Sequence, residues 1–216
     1  MISHWTLPDV FTGQPEDAAA GLQSYFVRQL RDGSGPLYTG AMFEKIGGDQ
    51  TGVADRYTPA DLIAVSMLSV DVPARVSIAL LGPDAQTAAS LLASIPPGLD
   101  LVDAGPSVIS KGSPAWELWD MLMAYGDVGP TTASKLIARK RPRLIPVQDS
   151  VVVATLHHPK RGDFWASMRE TLHRDIGEGR TLSTWLRQAH ETAEIGPEIS
   201  ELRIFDVLVW LSGKRA

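Results

Sequence analysis

Twice the chain sets a hydroxyl residue directly before a proline and follows the pair with an apolar run. Thr58-Pro59 precedes Ala60 to Leu68, and Ser113-Pro114 precedes Ala115 to Tyr125. A hydroxyl at the cap position satisfies a free amide of the first turn, and proline, with no amide to lose, fits the first helical position. The same chemistry argues against a central strand, where proline breaks the ladder. Helical spacing recurs elsewhere. Glu16 to Arg31 places Ala19, Leu22, Tyr25, Phe26 and Leu30 on one face. Asp71-Val-Pro73 opens a helix through Leu81, and Asp84 caps another to about Ile95. A helix from Thr131 to Lys140 is halted by Pro142. Asp149-Ser150 caps a helix through His157, and helices near 163–173, 182–194 and 199–212 complete the chain. Residues 32–57 and 98–112 read as loops. The one strand signal, Leu144 to Val147, is short and hemmed in by prolines. The expected class is all-α, a multi-helix chain.

A chain of 216 residues makes one large domain or two small ones. We expect a single helical domain over 1–216, with a weak division near residue 110. Residues 1–110 hold 5 Lys/Arg against 12 Asp/Glu, whereas residues 111–216 hold 15 against 13. The net charge of −5 excludes a generally basic, nucleic-acid-coating protein but leaves room for a local basic patch. With no cysteine, a disulfide framework, a thiolate zinc site, a cysteine-ligated iron–sulfur cluster and a cysteine nucleophile are excluded. Apolar runs such as Ile78 to Leu81 and Val207 to Leu211 fall far short of the ~20 residues a bilayer requires, so no membrane partner is expected. The first twenty residues lack a basic start followed by an apolar stretch, which makes the cytoplasm the expected location.

The informative stretch is 116–150. A helix, a turn in which Gly126 and Gly129 flank Asp127-Val128, and a second helix make a helix-hairpin-helix. Glycine allows a positive φ and leaves no side chain in the way. The hairpin amides and the start of the second helix are then placed to donate to a phosphate oxygen. Val128 points inward and locks the two helices, while Thr131 and Thr132 supply hydroxyls in the first turn. Lys135, Arg139, Lys140, Arg141 and Arg143 place five cations in nine residues with no acid. They either extend a phosphate-binding face or offset the dipole at the end of their own helix. A turn of this kind also serves as an ordinary helix connection that only packs.

This segment resembles the hairpin of the helix-hairpin-helix DNA glycosylase superfamily, the relatives of endonuclease III and alkyladenine glycosylase. Val128-Gly129-Pro130-Thr131-Thr132-Ala133 matches most of the family's hairpin, and Pro146-Val147-Gln148-Asp149 matches the context of its catalytic aspartate, 18 residues after Thr131. The likeness covers 35 residues; Tyr57 to Ser69 is similar to the family's early core helix. The resemblance implies a monofunctional DNA N-glycosylase, a DNA-repair hydrolase that excises a damaged or modified base. Asp149 would stabilise the sugar cation, and Gly126, Val128, Gly129, Thr131, Thr132, Lys135, Arg139 and Lys140 would contact the backbone of duplex DNA. Bifunctional members carry a lysine where this chain has Thr131, so a lyase is not implied, and neither is a metal or other cofactor. Asp127 departs from the family, standing where its first hairpin glycine belongs. The alternative is a hairpin that holds DNA without chemistry, or a relative that has lost it.

Other candidates have plainer explanations. Asp149 is also a cap for the helix that follows it. Asp206, inside an apolar helix, calls for a partner such as an arginine. His157 and His158 are adjacent and point apart on a helix, a poor metal pair. Tyr38, Trp116 and Trp119 are aromatic groups that could stack on a flipped base, although tryptophans three apart on a helix are commonly core.

Overall fold

The computed structural model describes residues 4–49, 51–159 and 162–215. Among these the regular elements are all helical: eleven α-helices, short 3-10 turns and no named strand. The chain divides into two compact units, one built from residues 1–38 and 146–216 and the other from 39–145. The division expected near residue 110 is not where the structure parts, because residues 111–145 pack with the segment before them.

The first unit holds α1 (Pro15–Phe26), α8 (Ser150–Thr155), α9 (Phe164–His173), α10 (Leu182–Ala193) and α11 (Glu201–Arg215). Helix α1 packs on α10 and α11, α11 on α8, and α9 on α10. Its core includes Leu22, Trp185, Leu186, Ile204 and Val207, each fully buried. Helix α1 stops at Phe26, short of Leu30. The chain turns back there on a small hairpin, with Leu30 N–H donating to Gly35 O at 2.8 Å and Leu37 N–H to Arg28 O at 2.8 Å. The turn is made by Gly33 at φ +70° and by Asp32, whose carboxylate accepts the Ser34 amide at 3.0 Å.

The second unit holds α2 (Pro59–Ser66), α3 (Ala74–Leu81), α4 (Ala85–Ala93), α5 (Pro106–Ile109), α6 (Pro114–Met123) and α7 (Pro130–Lys140). Both cap-plus-proline starts form helices as the sequence predicts. Ser113 Oγ accepts the Trp116 amide at 3.2 Å, and Asp61 Oδ2 accepts the Thr58 amide at 2.8 Å, a reciprocal capping box. Helix α5 lies within the stretch read as loop, 98–112. Leu144 to Val147 forms no strand; Leu144 and Ile145 both donate back to Arg141 O, at 3.1 and 2.9 Å, so the segment begins as a turn.

Helix α7 is central. Every residue from Thr132 to Lys140 is buried, so it presents no solvated face over that span. A helix enclosed all round is normally apolar, yet this one carries Lys135, Arg139 and Lys140.

Candidate functional site

Helices α6 and α7 form where the spacing predicts helices, and they pack on one another. Val128 is the inward lock, 5% exposed, and its amide donates to Tyr125 O at 2.9 Å. The Tyr125 hydroxyl is tied in turn to the Asp84 carboxylate. Burial and that bond push Tyr125 up to about 12, and at the start of α4 the Asp84 side chain makes no cap bond to an amide. Gly126 and Asp127 are exposed and Gly129 half-buried. Gly129 is the N-cap of α7 at φ −100°, ψ 176°, ordinary extended backbone, and Gly126 has no positive φ either. A Cβ at either glycine would meet nothing within 4 Å. The positive φ expected of these glycines therefore does not hold and internal packing does not require them, although glycine suits the N-cap position that Gly129 occupies. The first-turn amides of Thr131 and Thr132 belong to the N–H groups that a helix leaves without intrahelical partners. Thr131 is half-buried, and Thr132 is 8% exposed.

The cations do not lie on that open turn. Lys135, Arg139 and Lys140 are 1%, 7% and 5% exposed, and each is committed to the unit's own interior. Lys135 Nζ donates to Leu68 O at 2.9 Å, just past the end of α2. Arg139 meets Asp61 Oδ1 at 3.0 Å and donates to the carbonyls of Phe43, Glu44 and Ile46. Lys140 Nζ lies 2.5 Å from Asp61 Oδ2 and donates to Val53 O at 3.1 Å. Arg141 extends the pattern, reaching Asp55, Ala54 O and the carbonyls of Leu92 and Ile95 at the end of α4. The phosphate contacts expected of Lys135, Arg139 and Lys140 are thus corrected. These groups pin the irregular segment 43–55 and close the C-termini of α2 and α4, where carbonyls lack helical partners.

Asp61 is the acid that the sequence reading passed over. It is fully buried, and its two oxygens take the Thr58 amide and hydroxyl, Arg139 and Lys140. Burial holds the Lys140 ammonium below the usual lysine range, and Asp61 pulls it back. Tyr57, alongside, has a buried hydroxyl without a hydrogen-bond partner among the described residues, and burial beside Asp61 pushes its ionisation up. The local signal for Asp61 was Thr58-Pro59-Ala60-Asp61, an acid three places after a cap.

In the other unit, Asp149 caps α8. Its Oδ1 accepts the Val151 amide at 2.9 Å, and the residue is half-buried. Helix α8 rests on α11 at a close crossing, where Gly213 faces Val151 and Thr155. Asp206 has the expected arginine partner, Arg203, whose other guanidinium nitrogen donates to Tyr25 OH at 2.9 Å. Tyr38 stacks on Tyr25 at 5.0 Å. Trp116 and Trp119 are both half-buried, 6.5 Å apart. His157 is exposed at φ +50°, whereas His158 is buried and accepts from the Trp5 indole.

The chain belongs to a family of unknown function, DUF6308, whose model matches residues 18–213. Comparison with curated proteins and with solved structures finds no match.

Proposed function

We infer that this DUF6308 member binds duplex DNA through its sugar–phosphate backbone, with the α6–α7 hairpin as the contact. The observation that carries the reading is the pair of bare glycines. Gly126 and Gly129 stand at an exposed turn, in backbone that other residues adopt and with open space where a Cβ would be. A turn left bare of side chains where packing leaves room for them suits a surface that something approaches closely. The first amides of α7 make phosphate the fitting group. With Lys135, Arg139 and Lys140 turned inward and Asp127 exposed at the turn, binding is weak and its salt slope shallow, since few phosphates are neutralised. Replacing Gly129 with leucine, a poorer N-cap, is expected to keep the helices with a modest drop in the unfolding midpoint while lowering affinity for a labelled duplex at least tenfold, read by fluorescence anisotropy at low salt and well below that midpoint. Equal binding by both proteins overturns the reading.

A second reading rests on Asp149, 18 residues after Thr131 and at the start of α8. In it the chain is a monofunctional DNA N-glycosylase. The bond from the sugar to the base breaks with its electrons leaving on the base, and the Asp149 carboxylate stabilises the sugar cation. Water then adds to the sugar, and its proton balances the departed base. Asp149→Asn retains an oxygen to accept the Val151 amide but loses the charge. On a panel of lesion-bearing duplexes, the variant is expected to release base at least a hundredfold more slowly, leaving an uncut abasic site in the wild type. Unchanged release, or none by the wild type, leaves Asp149 as a cap alone.

A further inference from the structure

The contact between Trp5 and His158 exists in only one protonation state of the histidine. An indole nitrogen donates and never accepts. Trp5 Nε1 lies 2.9 Å from His158 Nδ1, so Nδ1 must offer a lone pair and the imidazole must be neutral, its proton on Nε2. That second nitrogen is buried and has no hydrogen-bond partner among the described residues. It lies against Gly162, where a Cβ would stand 2.9 Å from Nε2 and 2.8 Å from Cε1. An imidazolium in this place would carry two N–H groups, one aimed at an indole N–H and the other beside the Gly162 backbone.

Trp5 heads a strap, residues 4–14, that runs over the first unit. Its ring is 3% exposed and packs on Phe164 at 4.9 Å and Phe205 at 6.1 Å. Arg174 donates to Trp5 O at 2.8 Å. Further along, Phe11 meets Trp185 at 5.3 Å and Phe205 at 5.4 Å, and Trp185 Nε1 donates to Gly13 O at 3.0 Å. His158 also closes the helix that Asp149 caps, its amide donating to Val153 O at 3.0 Å.

We propose that the Trp5–His158 pair is an acid-sensitive latch: protonation of His158 turns the acceptor into a donor, and the start of the strap lifts from α9 and α11. The proposal does not depend on the DNA reading. Burial holds His158 below the usual histidine range, while the Gly162 backbone and the carboxylate of Asp163, the N-cap of α9, pull it up. Among the described residues, Arg174, just past the end of α9, reaches this contact through Trp5 O; α11 offers the uncharged Phe205, and the strap itself carries an exposed His4. The sign follows from linkage. A histidine depressed in the folded state gives docking that is complete above its unfolded value near 6.5 and weakens as pH falls through the folded value.

The test is a pH titration of the full chain from 8 to 5. Nitrogen shifts of the His158 ring report its tautomer and charge. Exchange of the Trp5 indole proton reports docking, and far-UV circular dichroism reports the helices. Expected are the Nε2–H tautomer at neutral pH and, below pH 6.5, loss of indole protection by at least tenfold in step with ring protonation, with the helices retained. His158→Gln, whose side-chain carbonyl accepts the indole proton without titrating, should hold the strap through the same range. Trp5→Phe, which removes the opposed donor, should raise the pH at which His158 titrates. An Nδ1–H tautomer, an indole still protected once the ring is charged, or the same acid transition in His158→Gln would each overturn the proposal. So would loss of the helices at the pH where the indole is released.

Discussion

Asp61 shows how much one side chain can organise. It closes the capping box of α2 and at the same time neutralises two cations from α7, with no exposed atom of its own. Breaking a buried ion cluster by removing one partner typically costs ~3–5 kcal/mol, because the charges left behind stay out of water. Asp61→Leu is therefore expected to lower stability by about 4 kcal/mol, read as a shift in the urea midpoint, and to loosen the segment 43–55 in hydrogen exchange. A midpoint within 1 kcal/mol of wild type would show that the carbonyl acceptors alone support Arg139 and Lys140. The cluster was only partly legible in the sequence. Thr58-Pro59 and the acid at Asp61 mark a helix start, which formed. The cations read as a solvated helix end or a phosphate face, because their partners are remote: Arg139 and Asp61 are 78 positions apart. Periodicity reports which residues share a face, not what covers that face.

At the scale of elements, the helices with strong local signals appear where expected and the differences fall at their ends. Helix α1 stops four residues before Leu30 because a glycine turn draws the chain back. Helix α5, four residues long, is too short for any repeat to reveal it. Contacts between helices were the least legible, as the α8–α11 crossing illustrates. Gly213 lies where a Cβ would overlap the Thr155 side chain and stand 2.9 Å from Val151 Cγ1. Both neighbours are β-branched and stiff at χ1, so relief requires the helices to part. Gly213→Val is expected to cost about 2 kcal/mol by overpacking, followed by thermal unfolding, and to weaken protection of the α8 amides. Gly126→Ala, at a position with open space around it, serves as the neutral control. A wild-type melting temperature for Gly213→Val would mean that the crossing yields without cost.

For the whole molecule, the all-helical class was legible in the sequence and the place of the division was not. The acidic front half suggested a boundary near residue 110, whereas the structure takes residues 39–145 as one continuous unit and builds the other from both ends of the chain. Composition cannot reveal this, since a discontinuous unit has no signature in any single stretch of sequence. That arrangement sets an order of events at the ribosome. Helix α1 leaves the exit tunnel before residues 39–145, and the helices it packs against, α10 and α11, are made after them. All of residues 39–145 emerge in between and can collapse on their own contacts first. Until α10 and α11 follow, Leu22, Tyr25 and Phe26 of α1 remain without the surfaces that cover them, exposed in the nascent chain to non-native association.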